Sequence, residues 1–149
     1  RPLIDFQKKI LKSTSIKYSN EKKISHLYKL KKNSVDYSIC MSVFQYFKSK
    51  KYAISVLKNL IRISKKKIII FDIKDESKKA LYIQNSRNNH NLTDKEFKKK
   101  YKNKSYTFYP KNFFLTHLKK SNSSYKIKFI NMPKFSLDYK FGYILIIEK

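Results

Sequence analysis

A chain of 149 residues, 41% hydrophobic and 31% charged, has room for one domain with a real core but not for two, and it is not a disordered polyelectrolyte. Its single cysteine, Cys40, excludes an internal disulfide, and with only His26, His90 and His117 beside it no metal site is expected. The longest apolar runs, 68–71 and 143–147, fall far short of the roughly 18–20 residues that span a bilayer, and nothing reads as a signal peptide, so a cytoplasmic setting is the expectation.

In chain order, residues 1–5 read as the end of a strand. The segment FQKKILKST that follows reads as a helix with Phe6, Ile10 and Leu11 on one face. Residues 15–19 are a short strand candidate, and Asn33-Ser34 is a turn signal. VDYSIC (35–40) is a strand that breaks into small and polar residues at Cys40-Met41-Ser42 before an aromatic-rich segment. From Lys50 a helical stripe runs through Ala53, Val56, Leu57, Leu60 and Ile61. KKIIIFDI (66–73) is apolar without alternation, which suits a parallel strand covered on both faces. Residues 75–87 read as a helix with Ala80, Leu81 and Ile83 apolar, and 86–96 as a loop leading into a capping box at Thr93 and Glu96. Residues 109–120 read as a helix with Pro110 in its first turn. YKIKFIN (125–131) alternates and reads as an edge strand, whereas FGYILIIE (141–148) is continuously apolar and reads as interior. The expected fold is a single α/β domain over 1–149: a Rossmann-like, mainly parallel sheet with helices on both faces, closed by an antiparallel hairpin.

The net charge of +26 attracts anions, nucleic acid included. Yet only Arg1, Arg62 and Arg87 are arginine, the residue whose fork grips phosphate. Lysine here travels with Asn, Ile, Tyr and Phe, all drawn from A/T-rich codons, so the basic surface reads first as a solvated product of base composition. Open α/β sheets bind ligands outside the carboxyl ends of their strands. Three such ends occur, at Leu3-Ile4-Asp5, Ile39-Cys40-Met41-Ser42 and Phe71-Asp72-Ile73. An aspartate there can accept hydrogen bonds from ribose hydroxyls, although Asp5 and Asp72 would equally serve as helix caps.

The segments 33–47 and 52–73 together resemble the fourth and fifth strand units of class I S-adenosylmethionine-dependent methyltransferases. The tail, YPKNFF (109–114), YKIKFINMP (125–133) and YKFGYILIIEK (139–149), resembles the closing helix and hairpin of that fold, in which the last strand inserts beside the fifth. LIDF (3–6) resembles the segment after its second strand. The resemblance covers essentially the whole chain through the order and spacing of its parts, without a single highly specific motif.

It implies S-adenosyl-L-methionine as cofactor, with Asp5 on the ribose hydroxyls. Cys40, Met41 and Ser42 would line the methionine end, largely through backbone atoms, and Asn20, Glu21 or Ser25, with Ser25 preferred, would lie near the adenine in a loosely matched region. It also implies methyl transfer to a small-molecule acceptor, a sugar or metabolite oxygen, nitrogen or carbon. Candidate residues on the acceptor side are Gln45, Tyr46, Arg87 and Tyr109 as contacts and Asp72 and His90 for catalysis, His90 being the best base by chemistry. The family's first strand and glycine-rich turn have no counterpart, since Gly142 is the only glycine. The expectation is therefore an N-terminally truncated fold, part of a longer protein and inactive alone. The alternative is an RNA-binding or RNA-modifying relative, or a non-catalytic domain, in which KKKYKNKSYTFYPKNFF (98–114) offers stacking rings among lysines. A nicotinamide-dependent oxidoreductase is disfavoured by the closing hairpin.

Overall fold

The computed structural model describes residues 24–101, 106–121, 124–136 and 139–149. Asp5, the helix expected from Phe6 and the strand expected at 15–19 lie outside the described residues. Four strands form one sheet: β1 (Val35–Met41), β2 (Ser64–Lys74), β3 (Lys126–Asn131) and β4 (Gly142–Glu148), in the spatial order β1-β2-β4-β3. β1 and β2 are parallel, and β4 is antiparallel to both β2 and β3. Three strands therefore point one way and β4 alone points back. This is the expected α/β arrangement, with the alternating strand on the edge and the continuously apolar one inside.

Helix α1 (Lys50–Ile63) makes the crossover from β1 to β2. Ser49 caps it, accepting from the Tyr52 amide at 3.1 Å. Ala53, Val56, Leu57, Leu60 and Ile63 are buried, so the stripe ends on Ile63, and Ile61 packs only at its margin. The helix lies on the sheet face built by Ile68, Ile70 and Ile73 of β2 and Tyr143, Leu145 and Ile147 of β4. Phe114 and Leu118 of α4 (Lys111–Ser121) join the same core. On the opposite face Tyr37, Ile39 and Met41 are exposed and Ile69 and Phe71 half-buried. Among the described residues β2 is thus fully covered on one face, because both α1 and α4 pack there.

An aromatic column fixes the segment after β1. Phe44 and Phe47 are buried with ring centroids 4.9 Å apart, and Phe44 meets Phe114 at 5.9 Å. Tyr109 is fully buried and donates its hydroxyl to the Phe44 carbonyl at 2.9 Å, while the Tyr143 hydroxyl donates to the Tyr109 carbonyl at 3.0 Å. At the other end of β1, Arg62 of α1 donates to the carbonyls of Leu30 and Leu27, at 2.5 and 2.7 Å, and secures the 3-10 turn Ile24–Lys29.

Helix α2 (Lys79–Asn89) follows a 3-10 turn, Glu76–Lys78, capped by Asp75. It forms where expected but runs on through residues 86–89, which the sequence reads as loop. Its anticipated apolar face does not materialise: Ala80 and Leu81 are exposed and Ile83 only half-buried. Ala80 and Ile83 share a face, with Leu81 about 100° away, but Tyr82 makes the contacts instead, with Phe141 at 5.3 Å and Phe108 at 5.6 Å. Helix α3 (Asp94–Tyr101) begins at the expected capping box, in which the Thr93 amide donates to Glu96 at 2.8 Å and the Glu96 amide to Thr93 Oγ1 at 3.4 Å.

Ile70 is fully buried where α1 meets the sheet. Urea unfolding of I70A should show a loss of about 3 kcal/mol, whereas K51A, on the solvent side of α1, should change stability by less than about 0.5 kcal/mol.

Candidate functional site

The carboxyl ends of β1 and β2 meet in an irregular backbone. The register between β2 and β4 slips between Ile70 and Ile73, an extra residue in β2 that makes a β-bulge. Asp72 sits in it with φ 56°, and Ser42, just past the end of β1, has φ 53°. Both are left-handed conformations that cost a residue with a Cβ about 1 kcal/mol or more. The two are joined directly: Ser42 Oγ donates to Asp72 Oδ2 at 2.9 Å, and the Ser42 amide donates to the Phe71 carbonyl at 3.2 Å. Gly142 makes room for the bulge. A Cβ there would lie 3.0 Å from the Ile73 carbonyl oxygen and 3.3 Å from Asp72 Oδ1.

The second carboxylate oxygen of Asp72 accepts from Lys74 Nζ at 3.0 Å. The Lys74 side chain is fully buried and that of Asp72 is 14% exposed. The Lys74 ammonium also lies over the rings of Tyr82 and Tyr106, 5.7 and 5.9 Å from their centroids, a cation–π arrangement strengthened by burial. Tyr46 stands edge-on to Tyr106 at 5.3 Å, and Tyr82 lies 5.7 Å from it. The hydrogen bond with Tyr46, then burial, then the neighbouring Tyr82 hold the Tyr106 phenol well above its usual range, so it is a neutral hydrogen-bonding group. A buried ammonium, a shared carboxylate and three tyrosines are therefore gathered at the strand ends.

The residues singled out from sequence divide. Ser42, Asp72, Met41 and Tyr46 are at this cluster or its margin, with Met41 and Tyr46 exposed. The Cys40 side chain turns the other way, toward the core, and burial pushes its thiol up to about 11. Gln45 is 4% exposed, and its Oε1 is buried without a hydrogen-bond partner, so it faces the interior rather than the strand-end cluster's open side. Tyr109 requires a correction as a substrate contact. It is wholly buried, its hydroxyl is given to Phe44, and burial raises its phenol to about 12. Asp72 is likewise no free base, since both of its oxygens are engaged.

His90 is exposed at the carboxyl terminus of α2, carried about 16 Å along the helix axis from Lys79. Arg87, one turn earlier, pairs with Asp94. Ser25 belongs to the 3-10 turn Ile24–Lys29, and its side chain, like Asp5, is outside the described residues. Lys74, Tyr82 and Tyr106 were not singled out. The available signal was a lysine directly after an apolar strand, obscured by the lysines around it.

No protein-family model and no curated protein sequence matches the chain. Among solved structures it is similar to magnesium protoporphyrin IX methyltransferase from Synechocystis PCC 6803, determined with bound SAH, at 12% identity and a TM-score of 0.47. The match covers 76% of this chain but 44% of that one, so the chain spans less than half of that protein's length.

Two measurements test the geometry. D72N leaves the buried Lys74 ammonium without its carboxylate and should lower unfolding stability by about 3 kcal/mol, while the double variant D72N/K74M should recover most of that loss. A thiol raised to about 11 carries roughly 100-fold less thiolate at pH 8 than one at 9.0. Ellman's reagent should therefore label Cys40 at least that much more slowly in the native protein than in urea, the rate rising with pH toward 11.

Proposed function

We propose that this chain belongs to an S-adenosylmethionine-dependent methyltransferase and provides the part of its site formed by the carboxyl ends of the fourth and fifth strands of that fold. The observation that carries the reading is the strained pair Ser42–Asp72, bonded to each other across two parallel strand ends in a sheet whose last strand is inserted antiparallel. The family resemblance of the sequence supports it independently. The cofactor supplies an activated sulfonium methyl group, so the chain's own task is to bind and orient.

The left-handed turn at Ser42 bends the backbone away from the sheet, which brings the polar groups of 40–42 to the position where such folds take their ligand. Asp72 acts by position: it holds Ser42 and Lys74 in place rather than taking a proton. Lys74 gives the site a fixed positive charge under Tyr82 and Tyr106, and Tyr46 presents a phenol on the solvent side. A small polar acceptor with a planar or sugar ring suits that lining. Asp5 and Ser25 remain proposed cofactor contacts by resemblance, and His90 has no part in the cluster proposed here. For the RNA reading, the rings offered by 98–114 are largely spent on the core, because Phe108, Tyr109 and Phe114 are buried.

Equilibrium dialysis of the whole protein with radiolabelled S-adenosylhomocysteine, against NADH as control, is the test. Saturable binding of the former alone is expected. Binding of NADH instead, or of neither at millimolar concentration, refutes the reading.

A further inference from the structure

The direction of the strands places three connections at one end of the sheet. Residues 42–49 follow β1, 75–79 follow β2, and 132–141 follow β3, which runs the same way as β1 and β2 because β4 reverses between them. The last of these presents the most exposed large hydrophobic side chain among the described residues. Phe135 is 90% exposed at the tip of a turn closed by the Ser136 amide on the Pro133 carbonyl at 2.9 Å. Tyr46, 63% exposed, and Leu81, 49% exposed in the first turn of α2, belong to the same end. The same connections and the first turns of the helices that follow them carry the exposed lysines Lys48, Lys51, Lys78, Lys79, Lys134 and Lys140. Among the described residues the exposed carboxylate on these connections is Glu76, and it is paired with Lys50 at 3.2 Å.

A large ring held in water on a hydrogen-bonded turn gains by burial, and the ammonium groups at the same end of the sheet favour an anionic partner. We infer that this end of the sheet docks on an anionic lipid bilayer, with Phe135 entering the interface and the lysines facing the headgroups. Aromatic side chains settle at the headgroup level, and each lysine near a negatively charged leaflet adds about 1 kcal/mol. No described helix is long and apolar enough to cross a membrane, so the attachment is peripheral. An RNA partner fits less well. Stacking on single strands uses rings set in a groove or on a sheet face, whereas Phe135 stands alone on a protruding turn and the basic groups are lysines rather than arginine forks. The docking does not depend on the chemistry proposed above. If both hold, the acceptor reaches the strand ends from the lipid side.

The test is sedimentation of the whole protein with phosphatidylcholine vesicles, with or without about 30 mol% phosphatidylserine. Binding should require the anionic lipid and fall steeply as salt rises from about 0.1 M to 1 M, which shortens the Debye length from about 10 to 3 Å. K134E/K140E should lower partitioning by about 25-fold or more. F135S should lower it several-fold even at low salt, with the far-UV spectrum unchanged. The 149-residue sequence contains no tryptophan, so F135W reports insertion directly, by a blue shift and by quenching from brominated lipid. The control is K31E/K65E, which reverses two exposed lysines at the opposite end of the sheet. An equal loss from that control means diffuse charge rather than a docking face and overturns the inference. So does binding unaffected by F135S, or an F135W indole that responds to poly-uridylate and not to vesicles.

Discussion

The strand Ser64–Lys74 is hydrogen-bonded along both edges, to a parallel neighbour on one side and an antiparallel one on the other. The two ladders are not in step. Parallel bonds slant evenly whereas antiparallel ones alternate in spacing, and the extra residue at the Asp72 bulge breaks the register with β4 near the carboxyl end of β2, just where the parallel pairing with β1 ends at Met41 and Phe71. The core can form beneath the regular part of the strand, where Ile68 and Ile70 are fully buried. The polar cluster can form only beyond it, where the strand no longer has to be regular.

That division explains why the lower half of the molecule was readable from residue types and the upper half was not. The stripe from Ala53 to Leu60, the alternation of 125–131 and the unbroken apolar run of β4 are consequences of period, and period survives any composition. The helix at 79–89 formed for other reasons and presents no stripe, so the apolar positions assigned to it were not those that pack. A tyrosine's residue type fits an acceptor contact and a core position alike; only the three-dimensional path reveals that Tyr109 is buried with its hydroxyl on the Phe44 carbonyl. The left-handed torsions at Ser42 and Asp72 carry no signature, since the residue that usually announces such torsions is missing from both positions. Lys74 is the clearest case: in a chain with few lysines, one ending an isoleucine run would have stood out.

The basic residues also separate by task once they are placed. Arg62 is a structural clamp that bonds the carbonyls of Leu27 and Leu30. Lys149 donates to the carbonyls of Ile61 and Ser64, where α1 gives way to β2. Lys74 neutralises the bulge from inside. These few do work that a neutral residue could not, and they lie at the joints between elements. The exposed lysines are a different population, and it is where they share an end of the sheet with uncovered rings that their position carries information.

Among the described residues, Asn33, Ser42, Asp72 and Asn91 hold left-handed torsions, while the one glycine, Gly142, does not. The molecule keeps glycine for want of volume, where a methyl group would press on Asp72 and Ile73, and meets its torsional demands with side chains that can bond. With no glycine at either position, a twist at Ser42 or Asp72 is held by what its side chain bonds, not by a backbone free to take it. The strained residues thus mark where the surrounding structure refuses to relax.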